Sequence, residues 1–98
     1  MSTTGDLWLV LCYDISDNRR RGRVFRRLKG FLVPVQESVF EGELPGRRWA
    51  ELLRMLEREL HPGLDSVRIY QLPASHRGLT TLVGNSPRVE GGGEAILV

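Results

Sequence analysis

The chain has 98 residues, of which 41% are hydrophobic, 27% charged and 7% aromatic, with a formal net charge of +2. The length fits one domain of the usual ~100–200 residues, and the composition excludes a disordered, collagenous or membrane-spanning protein. The first six residues hold no basic group or long apolar stretch, so no secretory signal is expected. The single cysteine, Cys12, leaves no internal disulfide and no multi-cysteine zinc site; a soluble, cytoplasmic protein without a membrane partner follows.

Residues 7–13 form a continuous apolar run, as expected of a central strand covered on both faces, and the run stops at Asp14. Ser16, Asp17 and Asn18 are all good helix caps, and Asp17 is best placed to be the cap itself. From Arg19 to Phe31 a helix is predicted, with Val24, Phe25, Leu28, Phe31 and Leu32 on one face and Gly30 at the fraying end. Val33 to Phe40 reads as a strand, with Pro34 confined to its start or to a sheet edge. Glu41-Gly42 then turns the chain into a short return strand at Glu43-Leu44. After the break at Pro45-Gly46 a second helix places Trp49, Leu52, Leu53, Leu56 and Leu60 on one face. Its polar side offers the pairs Arg47–Glu51, Glu51–Arg54 and Arg54–Glu57. His61-Pro62-Gly63 ends it, and residues 66–72 read as another strand. Beyond Pro73 two short apolar runs remain, at 79–83 and 94–98.

The order β-α-β-β-α-β predicts an α+β, ferredoxin-like fold over residues 1–72. Residues 73–98 add an extra C-terminal strand and tail to the same domain. Two helices on one side of a sheet leave the other side bare. A homodimer is therefore expected, with the C-terminal strand free to join the partner's sheet.

Charge is distributed unevenly. Residues 1–29 hold seven cations and three acids, whereas residues 30–98 hold seven cations and nine acids. The seven cations run from Arg19 to Lys29 with no acid among them, which suggests a phosphate-bearing partner. Arg19, Arg20 and Arg21 also oppose the dipole of the helix they open, at ~0.3–1 kcal/mol each when exposed. An anion docked at that end would offset the cost; a solvated polar face is the equal alternative. Asp14 sits at the carboxyl end of a buried strand, where folds of this kind tend to place ligands. A carboxylate there suits Mg²⁺, which takes one or two protein carboxylates and keeps several waters. Helping to cap the following helix is the competing role. His61 and His76 have no metal-ligand spacing, and Cys12 reads as a packed core thiol.

Three blocks in order, YDISDNRRRGRVFRRLKGF, VQESVFEGEL and DSVRIYQL, resemble the small CRISPR-associated Cas2 family over about residues 7–72. The resemblance implies a ferredoxin-like homodimer of CRISPR adaptation that holds duplex DNA between copies of the larger integrase subunit. It also implies metal-dependent endonuclease activity on single-stranded RNA or double-stranded DNA. The family's metal-binding aspartate corresponds to Asp14, with Mg²⁺ as cofactor. Tyr13, Arg21, Arg23 and Phe40 carry over as its catalytic neighbours. The cations Arg19, Arg20, Arg21, Arg23, Arg26 and Arg27 become nucleic-acid contacts. The sequence departs from the family pattern at Pro34, where some members are basic, and at Glu37, often aromatic.

Three functions compete. In the first, two Asp14 carboxylates share a metal in a phosphodiesterase, with Arg21 and Arg23 orienting the phosphate. In the second, the dimer is a non-catalytic DNA scaffold whose acidic second helix and tail meet the integrase. The third, a domain for a small phosphate ligand, is disfavoured by the lack of a Gly-rich anion loop.

Overall fold

The computed structural model describes residues 6–73, 75, 78–90 and 95–97. Its main strands are β1 (Leu7–Asp14), β2 (Val33–Gln36), β3 (Val39–Leu44) and β4 (Ser66–Leu72), and its helices are α1 (Asn18–Leu28) and α2 (Trp49–Glu59). The strands form one sheet in the order β2-β3-β1-β4, every neighbouring pair antiparallel. This is the ferredoxin-like arrangement expected from the element order.

Alternation along β1 decides which side chains meet the helices. Leu9, Leu11 and Tyr13 face inward with Phe40 and Leu44 of β3. They join Val24 and Leu28 of α1 and Leu52, Met55 and Leu56 of α2 in one core cluster. Each such aliphatic side chain contributes roughly 1.5–3 kcal/mol by leaving water. The other parity, Trp8, Val10, Cys12 and Asp14, faces away from the helices. There Trp8 is buried, Val10 and Cys12 are half-buried, and Tyr70 of β4 is 46% exposed. Cys12 is therefore a half-covered thiol on the outer face; period-2 alternation took it out of the core where the sequence reading had put it.

Helix α1 begins where Asp17 accepts a hydrogen bond from the Arg20 amide at 2.8 Å, as its position predicted. It closes tightly, with the Gly30 amide bonded to the Arg27 carbonyl at 3.1 Å. The hairpin differs from expectation. The turn lies at Glu37-Ser38, and Glu41-Gly42 runs inside β3. Phe40, Gly42 and Leu44 all face the core, and that inward row holds the strand straight through the supposed turn. Gly42 adopts φ +153°, and a Cβ there would meet Leu32 Cδ2 at 3.5 Å. That distance is ordinary contact, so what calls for glycine inside β3 is the backbone angle, which residues with a side chain rarely adopt. Pro34 sits in β2, the sheet's edge strand.

A short 3₁₀ turn, Gly46–Arg48, leads into α2. Met55 takes the buried place expected of Leu53, which is 38% exposed. The anticipated pairs along α2 give way to Arg48–Glu51 at 3.1 Å and to contacts with α1. After β4 the chain forms two short strands, β5 (Thr81–Val83) and β6 (Ala95–Leu97), paired in parallel with each other. One extra strand was expected; within a single chain the two segments satisfy each other's backbone groups. His76 lies outside the described residues. No helix among the described residues is long and apolar enough to cross a membrane.

Candidate active site

Asp14 ends β1 on the outward face, opposite Ser66 of β4. Its side chain is exposed and has no hydrogen-bond or ion-pair partner among the described residues. Beside it is a depression of about 470 Å³ lined by Cys12, Asp14, Ser66, Arg68 and Tyr70, among others. Arg68 donates from Nη1 to the Tyr70 hydroxyl at 3.3 Å. Arg68 and Tyr70 were not anticipated as site residues. The signal was available only through register: Asp14, Cys12 and Val10 pair with Ser66, Arg68 and Tyr70, so all six side chains share a face.

The other nearby aspartates are committed. Asp17 caps α1. Asp65 is fully covered and takes a two-pronged contact from Arg20, Nε to Oδ2 at 2.5 Å and Nη2 to Oδ1 at 2.9 Å, with the His61 amide at 2.8 Å. The Arg20 hydrogen bond, above all, holds the Asp65 carboxyl below its ordinary range. Of the three aspartates Asp14, Asp17 and Asp65, Asp14 is the one whose side chain has no partner among the described residues.

The predicted neighbours of Asp14 occupy different roles. Tyr13 points into the core, and its hydroxyl donates to the Glu37 carbonyl at 3.1 Å. Burial raises its pKa, against the pull of Arg21, so the phenol keeps its proton. Phe40 has no exposed surface and sits in the core against Phe25, ring centres 5.2 Å apart. Arg21 donates from Nη1 to the Ile15 carbonyl at 2.9 Å and from Nη2 to Asn18 Oδ1, stapling the loop that follows Asp14. Arg23 reaches across to Glu59, Nε to Oε1 2.6 Å. Phe40 thus lies behind the site, Tyr13 borders the Asp14 depression while its ring packs inward, and Arg21 supports the strand end from the side.

The basic block divides in the same way. Arg20, Arg23 and Arg27 are ion-paired within the helical layer. Arg19 and Arg26 are exposed and without such partners among the described residues. Arg26 joins Arg21, Phe25 and Lys29 along a groove of about 760 Å³ between α1 and β2. Helix α2 holds Glu51, Glu57 and Glu59 against Arg54 and Arg58, the acidic balance expected of it, while the turn leading into it adds Arg47 and Arg48. His61 accepts the Gly63 amide on Nδ1 at 3.1 Å and stays a loop-forming residue.

Among the described residues no three His, Cys, Asp or Glu side chains cluster as a metal site. In the depression at the end of β1 the carboxylate that one chain offers is that of Asp14. Mg²⁺ accepts such a donor set where waters and a second copy complete it.

The sequence profile of CRISPR associated protein Cas2 matches residues 7–78. A protein of Chloroflexus aurantiacus named CRISPR-associated endoribonuclease Cas2 3 is 40% identical over 78 residues, 80% of this chain and 84% of its own length. A CRISPR-associated endoribonuclease Cas2 of Thermus thermophilus is 40% identical over 80 residues, covering 82% and 85%. The crystal structure of a hypothetical protein, TT1823, from Thermus thermophilus superposes with a TM-score of 0.75 at 34% identity, covering 86% of this chain and 98% of that one.

Proposed function

This chain belongs to the CRISPR-associated Cas2 family, and on that premise we propose that it is a homodimeric, Mg²⁺-dependent endonuclease of CRISPR adaptation, cutting single-stranded RNA or duplex DNA beside the larger integrase subunit. The observation that carries this reading is the Asp14 carboxylate, exposed at a strand end and unpartnered among the described residues, while Asp17 and Asp65 beside it are tied down. The endoribonuclease names of the relatives support the reaction class.

Two outward sheet faces meeting would cover Val10, Cys12 and Tyr70 and bring two copies of Asp14 together. Mg²⁺ held there would polarise the scissile phosphate and lower the pKa of a bound water. The chain's own residues supply position and charge. Arg21 holds the Ile15 carbonyl and keeps the strand end from fraying. Arg68 places a guanidinium on the Asp14 face. Arg19 and Arg26 neutralise the nucleic-acid backbone outside the site.

Labelled single-stranded RNA and duplex DNA, incubated with Mg²⁺, test the assignment with wild type and Asp14→Asn. The variant should lose cleavage and keep its thermal melt, since an exposed surface change is worth within about ±0.5 kcal/mol. Equal cutting by both proteins sinks the mechanism.

A second reading, a non-catalytic DNA scaffold for spacer integration, is favoured by the exposure of Arg19 and Arg26. It requires log affinity to fall linearly with log salt, and Asp14→Asn to bind as the wild type does.

A further inference from the structure

We propose that the seam between α1 and α2 is a second phosphate-binding surface, organised by Glu59 and completed by the arginines of α2. The inference rests on the nucleic-acid reading above and adds a location on the opposite side of the sheet from Asp14.

Glu59, with its side chain 9% exposed, receives the Nε of Arg23 at 2.6 Å, of Arg27 at 3.1 Å and of Arg58 at 3.4 Å. One negative charge gathers three positive ones, so the cluster carries a net +2. The three side chains remain 44%, 48% and 61% exposed, their contacts made through the inner nitrogen of each guanidinium. The same contacts, led by the Arg23 hydrogen bond, hold the Glu59 carboxyl below its usual range, and it stays charged as an anchor near neutral pH. Alongside lies a hollow of about 370 Å³, walled by Arg27, Arg48, Arg54 and Arg58 over Phe31 and Met55. Its one acid, Glu51, is engaged by Arg48, which also stacks 4.4 Å above the Phe31 ring. Arg54 is exposed and has no partner among the described residues.

Cations held this close repel one another, and a guanidinium fork matches a phosphate with two parallel hydrogen bonds. Arg23 with Arg27, and Arg54 with Arg58, are i,i+4 pairs, one on each of two packed helices. Together they make a strip, which suits successive phosphates of a nucleic-acid backbone better than it suits one small anion.

The test is fluorescence anisotropy of the full chain on a duplex of about 30 base pairs, read across a salt series. Arg54→Ala/Arg58→Ala should weaken binding roughly tenfold near 0.1 M salt and make the log–log salt slope shallower by about 1–2. Arg47→Ala/Arg88→Ala removes the same charge elsewhere and should leave the slope close to wild type. Arg54→Lys/Arg58→Lys should recover the slope and part of the affinity, which also separates charge from folding. If wild type binds steeply and the seam variant matches it, the seam is not a phosphate surface, while nucleic-acid binding stands. Equal losses in the seam and control variants overturn the seam as well. So does a seam variant that loses only polyglutamate binding, which would mark an acidic polypeptide as the occupant. A flat salt response of the wild type overturns the seam and the nucleic-acid reading together.

Discussion

The two sides of the sheet use the same residue types to opposite ends. On the helical side, acids and arginines are joined: Asp65 with Arg20, and Glu59 with Arg23, Arg27 and Arg58. On the outer side Asp14 stands alone among the described residues, and Arg68 finds only the Tyr70 hydroxyl. The difference teaches that a charged residue's role follows from what the fold places beside it. Asp14 and Asp65 flank one end of the sheet, yet one is free for chemistry and the other holds a helix to a loop.

The sharpest test of that contrast sets the two aspartates against each other. Asp14→Asn should abolish cleavage at unchanged stability, whereas Asp65→Asn should lower stability and leave the Asp14 carboxylate in place. Melting curves and cleavage assays on both variants check this; matching profiles would erase the distinction between the two sides.

Phe40 sharpens it next. A catalytic neighbour would lose activity at constant stability, but a side chain with no exposed surface should lose stability. Phe40→Ala should cost about 3–5 kcal/mol in urea denaturation by removing a core ring.

The helical side also predicts a pH response. The pKa of Asp65 and that of Glu59 are both lowered in the folded state. Such groups add stability above their unfolded values, and that stability is lost as pH falls through the folded values. Thermal melts should therefore drop from about pH 5 downward. Asp65→Asn should flatten part of that drop; an unchanged profile would show that the Arg20 contact does not contribute. The smallest effect belongs to the cap: Asp17→Ala should cost about 1 kcal/mol in the same melts.

The hairpin turn was misplaced because Glu41-Gly42 looks like a turn locally, while the inward row Phe40, Gly42, Leu44 is visible only once β1 lies alongside. Leu53 and Met55 exchanged places because two apolar residues compete for one helix face, and α1 and the sheet choose between them. The second helix is acidic over its own span, but Arg47 and Arg48 of the turn before it reverse the balance at that end. The seam with Glu59 had no local signal at all.

What the amino-acid order determined by itself was whatever a short window can encode. That includes the apolar run of β1, the Asp17 cap and amphipathic face of α1, the span of β4, and the element order that makes the fold ferredoxin-like. These depend on side-chain period and backbone capping, which act over a few residues. Tertiary structure alone decided which cations are spoken for and which acid is left. Arg20 and Asp65 are 45 positions apart, and Arg23 and Glu59 are 36. Charges at that separation meet only after the core has packed, and the outward parity of β1 keeps Asp14 on the other side of the sheet from them.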